Sequence, residues 1–165
     1  MGGSTLANMF ANCTGNALGF GFVSALDTIA SQAWGAKNFE LVGLASQRCI
    51  ILMSIFTVPV AFLWLYVPGA LFPRLGVDAE VSRLAATYCM VLTLGLWPNF
   101  MFEIEKKYLS NQGIVLPALY CMVPTVLVNL ALCFVLVPSL GFVGAPLALS
   151  LSMWVMCLSL LAYIR

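Results

Sequence analysis

From Tyr108 to Ile164 the chain carries no Asp, Glu, Lys or Arg. A bilayer hydrocarbon core about 30 Å thick takes about 20 helical residues, so this stretch is too long for one crossing and must cross twice. Its break falls in VPSLGFVGAP, residues 137–146, where Pro138, Gly141, Gly144 and Pro146 end one helix and restart another. Further charge-free stretches run from Cys49 to Leu71 and from Leu84 to Phe102. The composition agrees: 62% of residues are apolar and 8% charged, against about 45–50% and about 25% in soluble domains. The expected fold class is an all-α membrane protein in one domain, with about five transmembrane helices at 6–26, 49–67, 84–102, 114–137 and 142–163.

Five crossings put the two ends of the chain on opposite sides. Lys37, Arg48, Lys106, Lys107 and Arg165 then share one side, and Arg74 and Arg83 the other. Lysine and arginine in short loops collect on the cytoplasmic side, so residues 25–48 are expected to face the cytosol.

Several function classes are excluded. With no histidine in the chain, Ser-His-Asp, Cys-His and His-metal sites cannot be built. No Walker-type phosphate loop occurs, and an intramembrane aspartyl enzyme would need two neighbouring aspartates, whereas Asp27 and Asp78 fall at opposite faces. No enzyme activity, metal or cofactor is expected. A net charge of +1, with the few basic residues in loops, makes no patch for nucleic acid. The six cysteines contain no CxxC pair and read as small apolar packing residues.

The polar residues inside the spans are the informative ones. Asn8, Asn12 and Asn16 recur every four residues along one stripe of the first span, and such a stripe faces protein or a cavity, not lipid. Gly15 and Gly19 have the spacing that lets membrane helices approach closely. Pro59 and Pro98 interrupt the second and third spans, each freeing a carbonyl one turn earlier that a neighbour or a cavity must satisfy. Asn99 follows Pro98 directly. In the fourth span Thr125 and Asn129 share a face, and an unpartnered mid-membrane amide would cost several kcal/mol. Glu103, Glu105, Lys106 and Lys107 read as a solvated helix end, with Glu103 and Lys107 spaced for a helix-face ion pair.

The stretch ALDTIASQAWGA, residues 25–36, resembles the cytoplasmic end of the second helix of multidrug and toxic compound extrusion (MATE) transporters. Four further phrases follow the same family order: Asn12-Cys13-Thr14-Gly15 upstream of it, Gln47-Arg48 opening the next helix, YLSNQG at 108–113, and LGFVGAPLA at 140–148. The first favours the eukaryotic-type branch. The resemblance implies an incomplete six-helix lobe of a MATE-like transporter of the MOP superfamily, holding helices two to six of the N-terminal lobe. It also implies that a first helix and a second lobe are missing, so that Met1 is an internal methionine of a longer gene or the gene model is truncated.

Function follows from the resemblance as an expectation: a multi-pass integral membrane antiporter, in the plasma membrane or a vacuolar or other organelle membrane. It would export organic cations or other small amphipathic compounds in exchange for H+ or Na+ by alternating access. Some prokaryotic members carry a carboxylate four residues after the position of Asn129; here that residue is Cys133, so no mid-membrane acid is offered for coupling. Asn16, Asn99, Thr125 and Asn129 are the expected substrate-pathway residues. Asp27, Thr28, Gln32, Gln47 and Arg48 are the expected cytoplasmic motif or gate, with Asp27 tied to Arg48, because an aspartate at a helix C-terminus opposes the macrodipole and calls for a cationic partner. The alternatives are a lipid-linked precursor flippase of the same superfamily, for which basic residues inside the cavity would be expected, and a truncated product without transport activity.

Overall fold

A computed structural model describes residues 2–164; Arg165, expected on the cytoplasmic side, lies outside the described residues. The chain is helical almost throughout. Helix α1 (Gly2–Ala11) passes through a π-helical turn at Asn12–Asn16 into α2 (Ala17–Gly35). Then come α3 (Phe39–Arg74), α4 (Ala79–Asn111), α5 (Leu116–Leu140), a 3-10 turn at Gly141–Val143 and α6 (Gly144–Ile164). Three stretches are long and apolar enough to cross a membrane: Phe39–Arg74, Ala79–Asn111 and Leu116–Ile164, the last divided by the 3-10 turn.

Local chemistry explains the boundaries. Lys37 takes a left-handed φ of 58° after α2, and Asn38 caps α3 by accepting from the Leu41 amide at 3.1 Å. Gly76 and Gly113 take positive φ just after α3 and α4, and Asp78 caps α4 through the Glu80 amide. Such short connections make successive helices antiparallel neighbours.

Two sequence expectations change here. Helix α5 runs through Pro138, because proline removes one donor but keeps a helical φ; the helix ends instead where Gly141 turns to φ 61°. The first span was expected as a plain helix, but a π turn occupies Asn12-Cys13-Thr14-Gly15-Asn16.

Helix α4 is the axis of the bundle, packed against α1, α2, α3 and α6, while α5 packs chiefly on α6. Gly3, Ala7 and Ala11 of α1 are buried, forming a small-residue seam against α4. There a Cβ on Gly3 would lie 3.1 Å from Leu84 Cβ, and the Cys89 thiol donates to the Ala7 carbonyl at 3.8 Å. Gly15 and Gly19 do permit a close approach, but to aromatic rings: Trp64 of α3 covers Gly15, and Phe100 of α4 covers Gly19. Gly3 beside Leu84 and Asp27 beside Lys107 show that α1–α2 runs parallel to α4. Lys37, Arg48, Lys106 and Lys107 therefore share one end of the bundle, and Arg74 and Arg83 the other.

Candidate functional site: two amide-lined cavities and a charged end

The π turn positions the first cavity. Thr14 Oγ1 donates to the Phe10 carbonyl at 2.6 Å and accepts from Trp64 Nε1 at 3.0 Å, so the indole is held over Gly15, where any side chain would collide with it. A π turn carries an extra residue and commonly marks functional positions in helices. Beside it Asn16 Nδ2 donates to Asn12 Oδ1 at 2.9 Å, and Asn99 Nδ2 donates to Asn16 Oδ1 at 3.4 Å. This chain of amides lines a cavity of about 210 Å³, together with Asn8, Trp64 and Met153. The stripe read from sequence does face a cavity, and Asn8 belongs to it as well.

Pro98 places Asn99 in this wall. With no N–H of its own, it leaves the carbonyl four residues earlier, Leu94, without its helical partner. Trp154 Nε1 of α6 donates to that carbonyl at 3.0 Å.

Thr125 and Asn129 line a separate cavity of about 270 Å³ between α5 and α6, with Ser152, Met122 and Met156. Asn129 Nδ2 donates to Ser152 Oγ at 3.1 Å, and Ser152 donates on to the Ala148 carbonyl at 2.8 Å. Cys133 Sγ approaches Asn129 Oδ1 at 3.8 Å. The four expected pathway residues thus form two pairs, Asn16 with Asn99 and Thr125 with Asn129. Leu149 and Met153 of α6 contribute to both cavities. No charged residue lines either one.

The charged end is wired differently from the expectation. Asp27 Oδ2 pairs with Lys107 Nζ at 2.7 Å, not with Arg48. The reason is packing: α2 lies against both α3 and α4, and Asp27 emerges on the α4 side. Arg48 is exposed on the outer surface between α2 and α3, among Phe22, Ala25, Leu41 and Leu52. Since Lys107 is engaged across helices, Glu103 pairs with Lys106 instead, at 2.5 Å. Thr28 donates to the Ser24 carbonyl at 3.3 Å on its own helix. Gln32 is exposed, and Gln47 lines a third cavity at this end with Ser46, Glu105 and Tyr108.

Glu105 was read as part of a solvated helix end, yet it is only 8% exposed. A usable signal was present: Met101, Glu105 and Leu109 recur every four residues, and both apolar members are buried. The role of Trp154 had no such signal, since a lone tryptophan in an apolar span names no partner.

A bundle of long apolar helices, with a π turn and a mid-helix proline where uncharged amides meet cavities, defines a transporter-type membrane protein. Residues 1–135 match the MatE family model, and the chain belongs to that family, whose members are transporters, not enzymes. It is an integral, multi-pass membrane protein. It is 36% identical over its whole length to Protein DETOXIFICATION 5 of Arabidopsis thaliana, of which it covers 35%. It is also 36% identical, over 98% of its length, to an uncharacterized transporter of Schizosaccharomyces pombe, covering 30% of that protein. The crystal structure of the eukaryotic MATE transporter AtDTX14 superposes with a TM-score of 0.94 at 28% identity, over 99% of this chain and 37% of that one. An inward-facing multidrug resistance MATE transporter of the MOP superfamily matches with a TM-score of 0.81 at 26% identity, over 90% of this chain and 34% of its own. The chain thus spans about a third of the length of the curated relatives it matches.

Proposed function

We propose that this chain forms part of a secondary active antiporter that exports organic cations or other small amphipathic compounds in exchange for H+ or Na+, by alternating access. In this reading the five helical rods cross the bilayer five times, the Lys37 end faces the cytosol, and a second lobe completes the central cavity. The observation that carries it is the Asn12–Asn16–Asn99 amide chain facing a cavity beside a π turn and the mid-helix Pro98. Amides there bind polar groups of varied shape without fixing a charge, as a broad-specificity pathway requires. The uncharged lining of both amide cavities weighs against a lipid-linked precursor flippase.

The test is a chimaera in which residues 2–164 replace the matching third of a full-length plant relative, assayed by efflux of a fluorescent organic cation. The chimaera extrudes the dye, Asn16→Leu and Asn99→Leu each slow it several-fold, and the chain alone extrudes none above the vector control. A chimaera that reaches the membrane and extrudes nothing, or one indifferent to both substitutions, would overturn the proposal.

A further inference from the structure

At the charged end α4 carries Glu103, Glu105, Lys106 and Lys107, and the two ion pairs formed there leave Glu105 without a charged partner among the described residues. Lys106 is paired with Glu103 and Lys107 with Asp27. Glu105 directly precedes the two lysines in sequence but points from a different face of α4. It is buried, and its Oε2 has no hydrogen-bond partner among the described residues. Cys157 Sγ of α6 lies 3.9 Å from Oε1. Burying a carboxylate without a counter-charge is expensive, so the surroundings need a reason to tolerate it.

The reason is a cavity of about 200 Å³ between α3, α4 and α6. Its polar lining is Glu105, Gln47, Ser46 and Tyr108; its apolar walls are Ile50, Ile104, Leu161 and Ile164. Ser46 spends its proton on the Val42 carbonyl at 2.9 Å, which leaves the oxygen's lone pairs for an incoming donor. Carboxylate, hydroxyl oxygen and amide oxygen make three kinds of acceptor, and a primary ammonium brings three N–H donors. A bound metal fits poorly: no group of three metal-ligating side chains occurs among the described residues, and hard cations take six or more oxygens. Apolar walls also favour an occupant with a hydrocarbon body, and a phenol ring attracts a cation over its face.

We infer that the cavity bounded by Glu105, Gln47, Ser46 and Tyr108 is a binding site for a small primary alkylammonium, with the Glu105 carboxylate as its counter-charge. This goes beyond the transport reading, because binding here needs neither a second lobe nor turnover.

The experiment titrates n-butylammonium into the 165-residue chain held in zwitterionic lipid nanodiscs, following heat and ligand NMR, with helix content checked by circular dichroism. The wild-type chain binds one equivalent saturably, Glu105→Gln binds at least tenfold more weakly, and Glu103→Gln binds as the wild type does. Gly43→Leu is the second variant. A Cβ at Gly43 meets nothing within 4 Å, so the leucine enters open space at the cavity wall without straining the helix, and it too weakens binding at least tenfold. Three results would each overturn the inference: no saturable binding to the folded wild type, equal binding by Glu105→Gln, or equal displacement of the probe by neutral n-butanol. Should Glu105→Gln fail to fold, unchanged binding by Gly43→Leu overturns it alone.

Discussion

Trp154 Nε1 of α6 donates at 3.0 Å to the carbonyl of Leu94 on α4, the group that Pro98 deprives of its own helix's N–H. A hydrogen bond missing from one helix is thereby supplied by a side chain of another. Ser150 Oγ adds a second bond from α6 to α4, at 3.2 Å to the Val91 carbonyl, and the indoles of Trp97 and Trp154 stand 5.6 Å apart beside it. The backbone that carries Asn99 is thus held by side chains that do not themselves line the cavity.

Trp154→Phe leaves an orphaned carbonyl and costs about 1–3 kcal/mol. Replacing Pro98 with alanine restores the helical donor, so in that background the same substitution costs less than half as much. Detergent unfolding of the four proteins of the double-mutant cycle measures the coupling; additive costs would show that the indole acts by packing alone.

Gly19→Ala brings a Cβ to 2.2 Å from Phe100 Cε1, and Phe100 is fully buried. Overpacking of this kind costs about 1–3 kcal/mol, and Phe100→Leu in the same chain recovers most of it. Gly21→Ala, two residues along with nothing within 4 Å, gains about 0.5–1 kcal/mol from helix propensity. The pair of unfolding midpoints should move in opposite directions.

The α5–α6 connection is less forgiving. A Cβ on Gly144 would fall 2.3 Å from the Leu136 carbonyl oxygen, and backbone cannot rotate aside as a phenyl ring can. Gly144→Ala is therefore expected to destabilise more than Gly19→Ala, with no single side-chain substitution able to rescue it. Proteolysis at residues 137–146 reports whether the turn has opened.

The Asp27–Lys107 pair leaves its side chains 37% and 33% exposed, so it is worth about 0.2–1 kcal/mol, on the scale of solvent-exposed pairs. Asp27→Asn and Lys107→Met should show coupling of that size in a double-mutant cycle, while Asp27→Asn and Arg48→Ala should be additive. In the efflux chimaera, the exchange Asp27→Lys with Lys107→Asp should restore what either change alone removes. Rescue by Arg48→Asp instead would return the partnership to α3.

Much of this molecule was legible along the chain. The charge-free runs marked where helices lie, and Gly141 in VPSLGFVGAP marked the break between the last two, because positive φ is a local property of a glycine. The family phrases ALDTIASQAWGA and YLSNQG were legible for the same reason: they are short and contiguous. A period of four also placed Thr125 with Asn129, and Asn8, Asn12 and Asn16 together, since neighbours on one helix face follow from helix geometry alone. The π turn escaped, because nothing local in Asn12-Cys13-Thr14-Gly15-Asn16 demands an extra residue; Trp64, distant in sequence, holds it through Thr14.

What the sequence by itself determined is the set of rods, their faces and their ancestry. Tertiary structure alone decided the pairings: Asp27 with Lys107 and not Arg48, Glu103 with Lys106, Leu94 with Trp154, and Glu105 with no base among the described residues. Helical periodicity tells which side of a rod a residue occupies, but the rod beyond that side is chosen by the packing of all the helices at once, which depends on ring and glycine contacts dozens of residues apart.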